Sequence, residues 1–302
     1  MKKALILGKN GQVAWELMRA CPQGWQAQAC GREEVDLQEF SSLAGQVAEL
    51  EPDLLINAAA YTAVDKAESE RDEAYALNQQ AVANIAAIAA EQGIPLVHLS
   101  TDFVFDGSKS SPYTAADEPA PLSVYGASKL AGEQEILDRA LPNALILRTS
   151  WVYSSHGQNF VKSMLRLMSD PQREHLSIVC DQVGTPTWAR ALARAIWAAG
   201  DMMCAGQNPG GTRILNWTDA GVASWYDFAV AIQELALERG LLEGRIPIHP
   251  IPHTDYPTPA TRPAYSVLDK AGFAQEFAVQ PQHWRNQLGC MLDDLAEAEA
   301  GQ

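Results

Sequence analysis

A tyrosine and a lysine stand four residues apart in "VYGASKLAGE", as Tyr125 and Lys129. At the start of a helix that spacing puts both side chains on one face, one turn apart. A phenol ordinarily ionises near pH 10 and serves poorly as an acid–base group at neutral pH. A lysine cation one turn away favours the phenolate and is expected to draw its pKa toward the working range. The chemistry suggested is proton transfer at a carbonyl or alcohol oxygen. Such pairs also arise between unrelated surface neighbours, so the rest of the chain must decide.

A phosphate cradle is suggested by "GKNGQVA", where Gly8, Gly11 and Ala14 follow a first apolar run. Gly8 permits a tight turn, Gly11 lets backbone approach a pyrophosphate, and Ala14 allows close helix packing. The helix N-terminus then offers free N–H groups and a positive dipole end. An ordinary Gly-rich turn is the competing reading. In "CGREEVDL", Gly31–Arg32 occupy the point where an NAD site usually has an acid; an arginine suits the 2′-phosphate of NADP. A solvated surface arginine is the alternative there. Asp36 lies a few residues on, within reach of an adenine. "NAAAYT" brings small residues, Asn57 to Ala60, to a strand end, either for a flat cofactor or for tight helix packing. In "HLSTDFVFDG" strand alternation sends Ser100 and Thr101 to opposite faces, so one hydroxyl at most enters a given site. His98 sits in an apolar run and reads as a satisfied core residue.

The elements that must position these residues alternate. Strand-like runs cover Ala4–Leu7, Ala27–Cys30, Asp53–Asn57, Pro95–Ser100 and Ala144–Arg148, separated by helical patterns at Gly11–Ala20, Gln38–Leu50, Arg71–Gln92 and Val124–Leu141. Short apolar strands between helices predict an α/β fold with a doubly wound, Rossmann-like parallel sheet covered on both faces. Thr101, Tyr125 and Lys129 then converge on the carboxyl edge, where such sheets bind ligands. Beyond residue 150 the alternation loosens. The expected division is a dinucleotide-binding domain over 1–150 and a smaller, mainly substrate-binding lobe over 151–302, with some chain crossing back. "IPIHPIPHTDYPTPATRPAYS" (246–266) is too rich in proline for a helix interior and reads as a cap over a site. Pro281–Ala300 is helical in pattern.

The formal net charge of −15 over 302 residues argues against a nucleic-acid partner, which needs a basic face. Five scattered cysteines without metal-type spacing suggest reduced thiols and a cytoplasmic setting. "MKKALILG" is too short for a signal-peptide core, and no apolar run approaches the roughly 20 residues that span a bilayer, so no membrane partner is expected.

In this order, the Gly-rich turn, "NAAA", Thr101 and Tyr-x-x-x-Lys resemble the extended short-chain dehydrogenase/reductase family. "STDFVFDG", "VYGASKLAGE", "RTSWVY", "DQVGTPT" and "YPTPATRP" are similar, more narrowly, to its dTDP-4-dehydrorhamnose reductase branch, over nearly the whole chain. That resemblance implies NADPH-dependent reduction, with NADH as an alternative cofactor, of the C4 ketone of dTDP-4-dehydro-L-rhamnose for surface polysaccharide synthesis. It implies Tyr125 as proton donor, Lys129 as holder of the nicotinamide ribose and tuner of Tyr125, and Thr101 as partner of the ketone oxygen. Thr101, Asp102, Trp151 and Arg262 would contact the dTDP-sugar. The cofactor stretches would be Gly8, Asn10, Gly11, Gln12 and Val13, then Arg32, Asp36 and Leu37, then Ala59, Ala60, Tyr61 and Thr62, completed by Tyr125 and Lys129. No catalytic metal is implied. Phe103 stands where many members have tyrosine.

A dehydratase would need a second acid beside Asp102, and Phe103 is there instead. A 4-epimerase lacks support from "STDFVFDG" and "RTSWVY". A non-catalytic regulatory subunit like that of methionine adenosyltransferase also resembles this family and differs by what it co-purifies with. Some reductases of the branch form dimers bridged by magnesium on glutamates. Glu16 matches the first such position, but the second falls on Arg190, which cannot ligate a hard cation. Arg190 is expected to pair with Glu16 or with Asp293, Asp294 or Glu297, leaving a monomer or a metal-independent homodimer.

Overall fold

The computed structural model of the chain describes residues 1–207 and 209–300; Asn208 and residues 301–302, the end of the expected second lobe, lie outside the described residues. The first strand, β1 (Lys2–Leu7), is buried on both faces. Ala4 and Ile6 pack with Ala14 and Leu17 of helix α1 (Gln12–Arg19), whereas Leu5 and Leu7 pack with Leu43 and Val47 of α2 (Phe40–Leu50). Alternate residues of one apolar strand therefore supply two cores, which requires helices on both sides.

The chain continues through β2 (Trp25–Cys30), β3 (Leu54–Asn57), short helices α3 (Val64–Ala67) and α4 (Arg71–Tyr75), α5 (Ala81–Gln92), β4 (Leu96–Thr101), α6 (Val124–Asp138) and β5 (Asn143–Thr149). The predicted helix over Arg71–Gln92 is interrupted by a π-helical turn, Ala76–Gln80. The predicted end of α6 at Leu141 is early in the structure, because Ala140 takes a positive φ of 46° before Pro142. Ser123 caps that helix by accepting from the Gly126 N–H at 3.2 Å.

Past residue 150 follow β6 (Val152–Tyr153), α7 (Phe160–Met168), β7 (Leu176–Val179), β8 (Val183–Gly184), β9 (Thr187–Trp188), α8 (Ala189–Cys204), β10 (Gly211–Asn216), β11 (Ala223–Ser224), α9 (Trp225–Glu238), β12 (Ile248–Ile251), α10 (Ala271–Phe277) and α11 (Trp284–Ala300). The central sheet has six parallel strands in the order β2-β1-β3-β4-β5-β10. The order reverses between β1 and β3, creating the crevice at which ligands enter such sheets. The sixth strand comes from the far half of the sequence, and α8 and α10 join α1 in one helix layer. A separate core holds the second lobe, built on Phe228, Ile232, Met164 and Leu288. The proline-rich segment is not all loop: Ile248–Ile251 pairs in parallel with β7 before the chain becomes irregular. Among the described residues no helix is long and apolar enough to cross a membrane.

Candidate active site

The glycine turn after β1 has the geometry its sequence implies. Gly8 has φ of +100°, and a Cβ there would sit 2.7 Å from the Ala59 nitrogen. The β1 and β3 ends thus touch backbone to backbone, leaving a cradle that any side chain would fill. Gly11 closes the turn with its N–H on the Gly8 carbonyl at 2.8 Å and then stands as N-cap of α1 with no side chain capping the helix. The first-turn N–H groups are therefore free to meet an anion.

A cleft of about 210 Å³ opens over this turn. Its walls include Gly8, Asn10, Gly11, Arg32, Asp36, Leu37, Ala59 and Ala60 among the residues expected at a cofactor. Tyr61 lines an adjoining depression that shares Arg32 and Asp36. Gln12, Val13 and Thr62 belong to neither wall. Lys9 pairs with Glu34, whose other oxygen accepts the Gly31 N–H at 2.8 Å, so the turn carrying Arg32 is braced from both sides. A cradle at Gly8, an uncapped helix start and an exposed arginine fit a phosphorylated dinucleotide.

Thr101 ends β4 at the carboxyl edge, and Tyr125 and Lys129 lie on the first turns of α6 beside it. That helix approaches because residue 126 is glycine: a Cβ there would stand 2.2 Å from the Phe103 carbonyl oxygen. Phe103 sets its ring edge against Tyr125, with centroids 5.5 Å apart. The three residues gather at this edge, but none of them lines the cleft over the glycine turn or the depression beside it.

Burial pushes the Tyr125 phenol up to about 12; the Thr101 hydroxyl opposes that shift, and the Asp102 charge adds to it. This corrects the expectation that Lys129 draws the phenol toward neutrality. Burial is the largest cause, and the Lys129 ammonium is turned onto the Leu99 carbonyl at 2.7 Å. Lys129 is itself brought down to about 8 by burial, with Glu133 pulling the other way. At neutral pH the pair is therefore a protonated phenol beside an ammonium, the state of a proton donor rather than a base. Asp102 is raised to about 6 by burial, which the Ser266 and Thr101 hydroxyls temper.

Strand register assembles what supports the pair. Ser100 lies opposite Arg148 on β5, and both donate to Glu133 of α6, Arg148 through Nε at 2.9 Å and Nη2 at 2.6 Å. Ser100 and Thr101 thus diverge as alternation requires. Asn57 lies opposite His98 and bonds its Nδ1 through Nδ2 at 2.9 Å, while the Asn57 side-chain Oδ1 accepts the Ala59 N–H at 3.1 Å. Burial holds His98 neutral, as a core residue that shapes the small-residue turn.

Asn78 escaped the sequence reading. The π-helical turn swings it inward, where it holds the Tyr61 backbone in both directions, at 2.9 and 3.1 Å, and donates to Ser128 at 3.0 Å. No helical periodicity announces such a turn, which breaks the period itself.

The expected substrate residues spread further. Asp102 is buried beside Thr101. Trp151 takes a positive φ of 47° and stacks on Trp225 at 3.5 Å. Trp225 and Arg262 line a second cavity of about 720 Å³ with Phe160, His175 and Tyr256. Arg262 also bonds Asp65 through Nη1 at 3.0 Å and Nη2 at 2.7 Å, tying the proline-rich cap to the first lobe.

Arg190 is paired within the chain. Its Nε donates to Glu16 at 2.7 Å and its Nη1 to Asp294 at 3.1 Å, while Glu16 also accepts from Ser154 at 2.8 Å.

The RmlD substrate binding domain model matches residues 1–297. The chain is 42% identical over 302 residues to a dTDP-4-dehydrorhamnose reductase of Burkholderia thailandensis, covering 97% of this chain and 99% of that one. It is 40% identical to the reductase of Escherichia coli K12, covering 96% and 97%. A crystal structure of the Bacillus anthracis reductase in complex with NADP superposes with a TM-score of 0.89 at 31% identity, covering 97% of this chain and all of that one. A glycine cradle, a Tyr–Lys pair on α6 and a match along almost the whole chain lead to one conclusion: the chain belongs to the RmlD family, that of the dTDP-4-dehydrorhamnose reductases.

Proposed function

We propose that this chain reduces the C4 ketone of dTDP-4-dehydro-L-rhamnose to dTDP-L-rhamnose, with NADPH preferred and NADH an alternative, for surface polysaccharide synthesis in the cytoplasm. Residues 1–150 are assigned mainly to the dinucleotide and 151–302 mainly to the sugar nucleotide. The observation that carries the reading is the gathering of Thr101 at the end of β4 with Tyr125 and Lys129 on the first turns of α6, at the carboxyl edge next to the Gly8 turn.

Thr101 holds the ketone oxygen, with Asp102 and Trp151 placing the sugar. NADPH, when bound, supplies the hydride. Tyr125 gives its proton to the oxygen as negative charge builds there, a transfer that its high pKa permits because an alkoxide is a far stronger base. Lys129 stabilises the phenolate left behind and holds the nicotinamide ribose. Gly11, Gln12 and Val13 receive the pyrophosphate, Arg32 the 2′-phosphate, and Asp36, Leu37 and the 59–62 turn the adenosine end. Purified protein with NADPH and the dTDP-ketosugar should yield dTDP-rhamnose by product analysis. Unchanged ketosugar, with co-purification of a methionine adenosyltransferase, would overturn the reading.

Arg32→Ala should raise KM for NADPH by about tenfold, the weight of one charge-assisted hydrogen bond, and leave KM for NADH nearly unchanged. Equal responses to the two cofactors would make Arg32 a surface residue only.

Assembly is also proposed to be metal-independent, as a monomer or a homodimer. Arg190 already pairs with Glu16 and Asp294, so a divalent ion there would meet a cation first. Light scattering should give the same mass with excess EDTA and with magnesium. A dimer that dissociates in EDTA and re-forms with magnesium would sink this.

A further inference from the structure

Three residues of α1, Gln12, Trp15 and Glu16, lie on one helical face and are gripped by the segment 154–159 of the second lobe. Ser154 donates to Glu16 at 2.8 Å. His156 stacks on Trp15 with ring centroids 4.9 Å apart and planes 10° from parallel. Gly157, at a φ of +72°, passes so close that a Cβ there would stand 3.2 Å from Gln12 Cγ. Asn159 Nδ2 donates to Gln12 Oε1 at 2.9 Å and to the Ser154 carbonyl at 2.7 Å.

The direction of each amide follows from its partners. The Asn159 carbonyl oxygen accepts the Lys162 N–H at 3.1 Å, as N-cap of α7, so the other end of Asn159 must be its NH₂ group. An NH₂ donor facing Gln12 requires the Gln12 oxygen at that contact. The Gln12 NH₂ group is thereby the end that Asn159 leaves unengaged. Gln12 is the first residue of α1, directly after the glycine turn. An oxygen there would repel a phosphate, whereas an amide NH₂ donates to it.

We propose that Asn159 is a positioning residue that orients the Gln12 carboxamide, so that its N–H end is presented to the dinucleotide pyrophosphate. This rests on the reductase reading above, which places the pyrophosphate at the start of α1. Asn159 thereby also joins the cofactor helix to α7, whose Phe160 and Met164 line the larger cavity.

Asn159→Ser tests this, because serine keeps an N-cap acceptor for α7 and removes both amide donors without adding charge. Binding is measured by titration with NADPH and with adenosine 2′,5′-bisphosphate, which carries the adenosine end but no pyrophosphate. The variant should bind NADPH about tenfold more weakly, the equivalent of one hydrogen bond to a charged group, and bind the bisphosphate as the unaltered chain does. Gln12→Ala should show the same selective loss, and the double variant should be no weaker than Gln12→Ala alone. Equal losses for both ligands, or losses that add in the double variant, would make Asn159 a structural residue and overturn the inference alone. An unaltered chain that binds neither ligand would overturn the reductase reading and this inference with it.

Discussion

Replacing Tyr125 with phenylalanine lowers the rate of ketone reduction by about 10²- to 10⁴-fold and leaves NADPH binding within reach of the unaltered chain's. The ring keeps its edge contact with Phe103 and its place on α6, so only the transferable proton is lost. Lys129→Ala should impair both rate and cofactor affinity, because the proposed function gives its ammonium both the phenolate and the ribose. The buried phenol near 12 stays protonated across the ordinary range, whereas Lys129, near 8, does not stay charged. Below about pH 8 the cation is present; above it the cation is lost, and a phenolate in a buried site loses its counter-charge. kcat/KM for NADPH, which reports the free protein, should therefore fall as pH rises through about 8. Stopped-flow NADPH oxidation checks both claims. Turnover like that of the unaltered chain in Tyr125→Phe, or a flat alkaline limb, would remove Tyr125 and Lys129 from the chemistry.

The largest stability effect is expected beneath that pair. The side chains of Glu133 and Arg148 are 0% and 2% exposed and joined through two nitrogens, with Ser100 on the same carboxylate and the Phe105 ring 5.1 Å from the guanidinium. Arg148→Met fills similar volume but leaves Glu133 ionised and buried with only a hydroxyl beside it. Breaking one partner of such a pair costs about 3–5 kcal/mol. Glu133→Leu with Arg148→Met removes both charges and should recover most of the loss, since a buried ion pair and an apolar replacement of equal volume are often nearly equivalent. Urea unfolding of the three proteins decides it. A single variant as stable as the unaltered chain, or a double variant no better than the single, would mean that the pair is not what joins α6 to β4 and β5.

Much of this architecture was legible along the chain. Alternating apolar strands and helices predicted the parallel sheet, and five core strands stand within two residues of their expected limits. Gly8 and Gly11 marked the tight turn into α1, Tyr125 and Lys129 declared one helix face, and Arg190 announced a carboxylate partner. Each is a local signal, because a strand's period, a helix's period or a glycine's freedom is a property of a few consecutive residues. Other features depended on residues far apart in sequence. β10 was hidden because a short apolar run carries no sign of the sheet it will join. Asn78 was hidden because a π-helical turn shifts a side chain off the expected face. The Tyr125 pKa was misjudged because a neighbouring cation is visible in a sequence and burial is not. Ser100 and Arg148 reach one carboxylate only because β4 and β5 pair in a register that sets them side by side, and a one-residue slip of either strand would turn its residue away. Arg190 finds Glu16 across 174 positions because α8 packs against α1, and Asp294 across 104 because α11 lies along β9, which leads into α8. Residue type and spacing settle which chemistry a chain can attempt, whereas register and packing settle which charges stand close enough, and dry enough, to perform it.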